Sequence, residues 1–440
     1  MFEHTFKNID EILRKDPACT CELDYIEQLS WLLFLKYLDC LETGQAATAE
    51  HENRRFNYTF DAHYRWQSWA APKTADGKLD SAKALTGEPL LSFVNQRLLP
   101  YLQGFKGRAS SRQTLEFKIG GVFEESGNRI QNGDTLRALI DLVDQLRFDT
   151  AEEKQELSLI LEARIQKMGN SGRNGGEFFT SRPLIQAILQ VVRPRIGDRI
   201  YDGAVGTGGF LGESLTFLSQ GKLTPKNLEI LKTRTFYGKE KKSLPFTLSL
   251  LSLILRGIES PNLIPTNSLA EATAELQEKD RYDIVLCNPP IGGLERKELY
   301  ALYNLGAGET PLLFLQHLVA NLKTGGRGAI LVKNTFLTNT DKSTQSVRKS
   351  LLKNCNIHTI LDCSLATYQG SPMKTAVLFL EKGKATQKTW TYKVPATPLA
   401  DFDFSDFLSL QKTAADSTFE GQPRSYKVDL RQILPSQASE

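Results

Sequence analysis

The sequence predicts an α/β chain: an all-α first third followed by a doubly wound, mostly parallel sheet. Three observations carry this. Apolar residues recur at helical spacing as far as residue 168. Beyond it, short apolar runs alternate with helical segments, the pattern of crossover units in a parallel sheet. Several of those runs stop at glycine or proline turns, which strands tolerate at their ends and helices of that length do not need.

The elements follow in order. MFEHTFKNIDEILRKD is amphipathic and acidic, without the apolar core of a signal peptide. Leu23, Ile26, Leu29, Leu33, Tyr37 and Leu41 fall on one helical face. LSFVNQRLLPYL and TLRALIDLVDQL repeat that spacing, and APKTADGKLDSAKALTGEP, which interrupts the helical region ahead of them, reads as an exposed loop. In TAEEKQELSLILEARIQKM, Thr150 is an N-cap candidate with Glu153 three residues on, a capping box. GNSGRNGG, from Gly169 to Gly176, has the composition of a flexible linker. The expected domains are therefore 1–168, 169–385 and a tail at 386–440.

In the middle region, DRIYDGA, TFYGKE, YDIVLCNPP and GAILVKN are strand candidates. SRPLIQAILQVV, GFLGESLTFLSQG, SLPFTLSLLSLILRGI and PLLFLQHLVANLKTGG are helix candidates, the last with a glycine stop. IHTILDC and KTAVLFLEK suit an antiparallel pair at a sheet edge. Past Lys382 the chain turns polar, with one helix candidate in FSDFLSLQKTAADS.

Composition narrows the function classes. The 54 Lys and Arg against 51 Asp and Glu leave a charge of +3, too balanced to announce a nucleic-acid binder. KGRASSR, from Lys106 to Arg112, reads as a solvated loop. The six cysteines form no CxxC pair and no His stands at ligand spacing, which argues against a zinc site or a disulfide framework. Cys287 reads as a small buried strand residue rather than a nucleophile. FTLSLLSLILRGI is too short and too serine-rich to span a bilayer. A soluble, cytoplasmic protein without metal or membrane contact is expected.

Chemistry concentrates in two places. IYDGAVGTGGFLGESL gives strand, glycine turn and helix, and parallel sheets bind ligands at such carboxyl ends. The dinucleotide fingerprint would need glycine at Leu211, so a pyrophosphate is disfavoured. Asp202 puts a carboxylate before the loop, which suits the sulfonium and ammonium of S-adenosylmethionine better than a polyanion. TFYGKE ends in Glu240, the place for a carboxylate on ribose hydroxyls in nicotinamide and methyl-donor enzymes alike.

The second place is YDIVLCNPPIGG. Proline cannot donate to a ladder, so the strand ends at Asn288-Pro289-Pro290. The Asn288 side-chain oxygen and the Pro289 carbonyl can then point off the same edge, stiffened by the diproline. Two convergent acceptors suit an exocyclic amine. Each takes one N–H, and the lone pair is left to aim at an electrophilic methyl. No strong base is needed beforehand, because fixed acceptors stabilise charge as it develops. A base inside a duplex must first be flipped from the stack. A nicotinamide oxidoreductase would share the glycine loop but leave Asn-Pro-Pro unexplained. Methylation of RNA or of a protein glutamine uses the same acceptor pair.

Together FKNIDEILRKD, LDYIEQLSWLLFLKYLD, GEFFTSRPLIQAI, YDGAVGTGGFL, FYGKEKKS, YDIVLCNPPIGG, GETPLLFLQHL, LKTGGRGAILVKNTFL and KTAVLFLEKG resemble, in order, the modification subunit of type I restriction-modification systems, a DNA adenine-N6 methyltransferase. The resemblance implies the S-adenosylmethionine-dependent methyltransferase fold with a seven-stranded sheet, an N-terminal helical domain and a C-terminal helical tail. It implies S-adenosylmethionine as cofactor and double-stranded DNA as substrate. It implies two modification subunits on one specificity subunit docked by the tail, and an optional restriction subunit. Carried over, Glu177, Phe178, Phe179, Thr180, Ser181 and Arg182 line the methionine end of the cofactor. Thr207, Gly208 and Gly209 match the glycine loop, Glu240 the ribose site, and Asn267 the contact to the cofactor adenine. Asn288, Pro289, Pro290 and Ile291 match the catalytic motif.

Three positions depart from the family. Ile291 stands where an aromatic ring stacks on the flipped adenine, a contact worth roughly 1–3 kcal/mol. Ser181 replaces a proline, and DCSLATYQGSPMKT lacks glycines usual beside the base pocket. Ile291 leaves open a second reading, a weakly active or non-catalytic scaffolding subunit of the same fold.

Overall fold

Helices form where the first third has apolar periodicity, and nearby polar side chains hold their ends. The computed structural model describes residues 2–170, 179–258, 260–271, 273–303, 305, 309–364, 374–414 and 425–429. At the start of the helix Glu22–His51, Asp24 Oδ2 accepts from the Thr20 and Cys21 amides at 2.8 and 3.1 Å. Thr150 and Glu153 make the expected reciprocal cap on the helix Ala151–Asn170. Thr150 Oγ1 accepts from the Glu153 amide at 3.1 Å, and Glu153 Oε2 accepts from the Thr150 amide at 3.0 Å. The polar insertion carries only one isolated bridge, Lys73 to Leu79, before helix resumes at Gly87.

The chain divides into two compact units. One comprises Met1–Ser171, Lys242–Glu259 and Leu263–Thr266; the other comprises Gly172–Lys241, Ser260–Asn262 and Asn267–Glu440. The helix Ser243–Leu255 thus counts with the helical unit, although in sequence it lies between two strands. It is apolar round its whole circumference and buried on nearly every face. Two of its hydroxyls are satisfied within the helix, where Thr247 donates to the Ser243 carbonyl at 2.8 Å and Ser249 to the Phe246 carbonyl at 2.8 Å, while the Ser243 hydroxyl donates to the Gly121 carbonyl at 2.9 Å.

The sheet has nine strands: β1 (Ile200–Asp202), β2 (Phe236–Glu240), β3 (Asn262–Pro265), β4 (Tyr282–Cys287), β5 (Leu322–Lys333), β6 (Cys355–Asp362), β7 (Thr375–Lys382), β8 (Lys388–Lys393) and β9 (Ser425–Asp429). Their order is β3-β2-β1-β4-β5-β7-β6-β8-β9. β1 pairs in parallel with β2 and β4, and β4 with β5. β7 is antiparallel to both β5 and β6.

Three expectations need correction. The sheet has two strands more than seven, because β8 and β9 arise from the segment read as a helical tail. β8 is parallel to β6 and antiparallel to β9, and its alternation of Trp390 and Tyr392 gives it a buried face. The tail's helix does form, as Ser405–Ala414. The β6–β7 pair is antiparallel as read, yet it is not an edge, since β8 covers β6. β5 begins at Leu322, inside the expected glycine stop, because extended Leu322 pairs with Tyr282.

Behind β1 a buried polar chain ties the strand to the helix Thr310–Asn321. The Tyr201 hydroxyl lies 2.9 Å from His317 Nε2, and the Tyr303 hydroxyl lies 3.1 Å from His317 Nδ1. Tyr303 also donates to the Leu269 carbonyl at 3.4 Å. A neutral imidazole satisfies this pattern by accepting from Tyr201 and donating to Tyr303. Burial pushes the His317 pKa down to about 3. Between that value and the unfolded 6.5 the unfolded chain binds a proton that the native one refuses, so stability falls as pH is lowered through this window. Urea midpoints should show His317→Gln less stable than the wild type at about pH 7. Its further loss between about pH 6.5 and pH 4 should be smaller than the wild type's; parallel losses would remove His317 from this role.

Candidate active site

Parallel pairing of β1 with β4 sets Ile200 against Ile284 and Tyr201 against Val285. The two strands therefore end together, with Asp202 beside Cys287 and Asn288 just beyond. After Asp202 the chain turns sharply. Gly206 and Gly208 adopt φ of 55° and 85°, which a side chain would strain. The helix Gly209–Leu218 then starts. The turn is clamped from three sides. Ser268 donates to the Gly203 carbonyl at 2.5 Å, the Gly206 amide donates to Glu240 Oε2 at 3.0 Å, and the Val205 amide to the Lys239 carbonyl at 3.1 Å. Glu240 Oε1 also accepts from the Lys241 amide at 2.8 Å.

Thr180, Asp202, Ala204, Val205, Gly206, Thr207, Gly209, Phe210 and Asn288 line one small cleft at this edge. Asn288 Nδ2 donates to Thr180 Oγ1 at 3.1 Å, which fixes the amide's orientation. Its Oδ1 is then buried with no hydrogen-bond partner, as is Ser181 Oγ. One Asp202 oxygen accepts from the Ala204 amide at 3.0 Å, while the other has no N–H or O–H partner. A buried unpaired polar atom costs about 1–3 kcal/mol. Two at one cleft, on Asp202 and Asn288, are the mark of a site built to receive polar groups.

Burial raises the Asp202 pKa to about 7, held there against the Ala204 amide and the Cys287 thiol, with Glu240 adding repulsion. The Cys287 thiol is pushed well above its ordinary range by burial and by Asp202, so it is no nucleophile. A carboxyl poised near neutrality ionises readily when a cation arrives.

The other expected residues take varied places. Glu240 is buried and engaged by two amides, so its first task is to hold the glycine loop. Thr207 is buried in the cleft and Gly208 heads the following helix. Arg182 lies over the Phe179 ring at 5.5 Å and 3.9 Å from Glu213, and packs where a Gly209 side chain would stand. Asn267 Oδ1 accepts from the Leu269 amide at 3.0 Å, and its Nδ2 lies 3.4 Å from Glu295. Pro289 is buried, Pro290 is exposed and Ile291 is half-buried; none of the three lines the small cleft. Pro289 lines a second cleft, of about 350 Å³. Glu177, Phe178, most of the linker and residues 365–373 of the glycine-poor loop lie outside the described residues. Sequence reasoning missed Phe210 and the Cys287–Asp202 contact. Phe210 sat within the quoted loop motif, whereas the contact depends on strand register.

Residues 152–399 match the N-6 DNA methylase family, and residues 2–143 match the HsdM N-terminal domain. The chain belongs to the N-6 DNA methylase family. This N-6 DNA methylase is 31% identical over 395 residues to the type I restriction enzyme EcoEI methylase subunit of Escherichia coli, spanning 88% of this chain and 76% of that protein. To the EcoKI methylase subunit of Escherichia coli K12 it is 26% identical, over 84% and 67% of the two chains. A solved Vibrio vulnificus YJ016 chain, assigned to the modification subunits of type I restriction enzymes, superposes with TM-score 0.74. Its identity is 30% over 98% of this chain and 92% of that one. A chain from a type I R-M system reaches TM-score 0.82 at 28% identity, covering 98% and 89%. The methylase is thus of the type I modification-subunit kind and has the S-adenosylmethionine-dependent methyltransferase fold. Among the described residues no helix is long and apolar enough to cross a membrane.

The Asp202 carboxyl yields a prediction of opposite sign to His317. Its folded pKa is raised from 3.8 to about 7, so the unfolded chain loses its proton first and native stability falls as pH rises through that window. Asp202→Asn should raise the melting temperature of the ligand-free protein by a few degrees at about pH 8, and little at about pH 4. A variant that melts earlier than the wild type at the higher pH would contradict the assigned penalty.

Proposed function

We propose that this chain is the methylating subunit of a type I restriction-modification complex. It transfers a methyl group from S-adenosylmethionine to the N6 amine of an adenine flipped out of double-stranded DNA. The single observation that carries this reading is the buried, unpartnered Asn288 Oδ1 at the diproline strand end, beside an unpartnered Asp202 oxygen. A specificity subunit reads the DNA sequence, two methylating subunits serve one such partner, and the complex works in the cytoplasm. The near-neutral charge supports delegation of DNA reading to a partner.

The residues present fit the donor. Positive-φ Gly206 and Gly208 let backbone approach a ligand closely. The unpartnered Asp202 oxygen suits a cation, and Ser181 Oγ and Thr180 can hydrogen-bond its polar end. Glu240, which braces the loop, stands at the end of β2, where a carboxylate can meet ribose hydroxyls. When bound, S-adenosylmethionine supplies an electrophilic methyl group.

Asn288 carries the acceptor side. Its Nδ2 is tied to Thr180, so Oδ1 cannot rotate away and is free to accept one N–H of the amine. The Pro289 carbonyl is the second acceptor. Held between them, the nitrogen keeps its lone pair directed at the donor; as its bond to the methyl forms and the methyl's bond to sulfur breaks, the acceptors stabilise the positive charge that develops, and the amine then releases one proton to solvent. Orientation lowers the remaining barrier. No residue with a strongly shifted basic pKa is required.

With its specificity subunit, the chain should incorporate tritiated methyl into duplex DNA, and the product should be N6-methyladenine. Asn288→Ala should lower that rate by at least about a hundredfold, the scale of removing an oriented transition-state donor or acceptor. Calorimetric affinity for S-adenosylmethionine should stay within a few-fold. Undiminished transfer, or loss of cofactor binding on the same scale as loss of rate, would refute the role.

A further inference from the structure

We infer that Phe336, and not residue 291, supplies the aromatic contact to the methyl-accepting base, within the cleft that Pro289 lines. This rests on the reading of the chain as an adenine methylase. The small cleft at Asn288 is walled by the glycine loop and suits the donor's polar end. The neighbouring cleft begins at the next residue, Pro289, and at about 350 Å³ is roomy enough for one purine. Leu312, Leu315, Leu331 and Val332 give it an apolar lining, the surface a heteroaromatic base prefers over water.

Among the described residues, Phe336 is the aromatic one in that lining. Ile291, where a ring would be expected, has no π face and does not line the cleft. Phe336 sits on the short turn Asn334–Leu337 that follows β5. The turn is held rigidly: Arg348 Nη1 donates to the Phe336 carbonyl at 2.6 Å and Nη2 to the Asn339 carbonyl at 3.0 Å. Phe336 as a whole residue is 7% exposed, so its position is set by packing before any base arrives. A fixed ring in the cleft that Pro289 lines binds a base without an ordering cost. A ring from the turn after β5 thereby replaces a ring in the catalytic motif itself.

The test uses the full chain in its DNA-reading complex, with duplex carrying 2-aminopurine at the target adenine and a non-reactive cofactor analogue present. A flipped 2-aminopurine fluoresces strongly unless an aromatic ring stacks on it. The wild type should give a weak rise, and Phe336→Leu, which keeps bulk but removes the ring, a rise several-fold larger. Phe336→Tyr should stay weak. Methyl transfer by Phe336→Leu should fall roughly 10- to 100-fold, the loss of one base–ring stack. A wild-type signal that Phe336→Leu leaves unaltered overturns the inference while the methylase reading stands. No fluorescence change in any variant, with no methyl transfer by the wild type, overturns both.

Discussion

The parallel register of β1 against β4 is the constraint on which the rest depends. Because Ile200 faces Ile284 and Tyr201 faces Val285, both strands stop at one level. Asp202 ends one and Asn288 follows the other, so a carboxylate and an amide from distant parts of the chain share a single cleft. Side chains alternate along a strand, and a slip of one residue would turn each of them to the opposite face. The register is held by what packs beneath it. Tyr201 and Val285 belong to the same apolar cluster as Leu315, Leu318, Ile330 and Leu378. Tyr201 stacks on Tyr282 at 4.5 Å, and its hydroxyl meets buried His317.

Stability is given up at this cleft in return for readiness. Two oxygens are buried without partners, and one of them belongs to a carboxyl whose ionisation is resisted by burial. Surroundings that over-determine the backbone sustain the cost. Glu240, Ser268 and the Lys239 carbonyl fix the glycine turn, and Thr180 fixes the Asn288 amide. A polar ligand bearing a cation and an amine would satisfy at once what the protein leaves open.

Much of this was legible in the sequence. Strand ends marked by Asp202 and by Asn288-Pro289 needed only the rule that glycine and proline turns terminate strands. The Thr150–Glu153 cap needed only spacing. What escaped was whatever depends on neighbours distant in the chain. β8 looked like polar tail because Lys388, Thr389, Thr391 and Lys393 flank its two buried rings, and only pairing with β6 makes it a strand. The helix Ser243–Leu255 looked like an ordinary crossover, yet its all-round apolar surface groups it with the helical unit. Glu240 was legible as a ligand carboxylate, but its bracing of the Gly206 amide could not be read before the turn was seen. Phe336 was not singled out in the sequence, because nothing in LVKNTFL marks it apart, and only the fold sets it at the wall of the cleft.

The central claim is that the unpaired oxygens of Asp202 and Asn288 await two different polar partners. A crystal structure of the chain with S-adenosylmethionine tests it most directly. The account predicts a cationic group of the ligand within about 2.7–3.2 Å of the free Asp202 oxygen, with Asn288 Oδ1 still unoccupied by any ligand atom. A ligand seated elsewhere, or one whose atoms occupy Asn288 Oδ1 and leave no place for an amine, would contradict it.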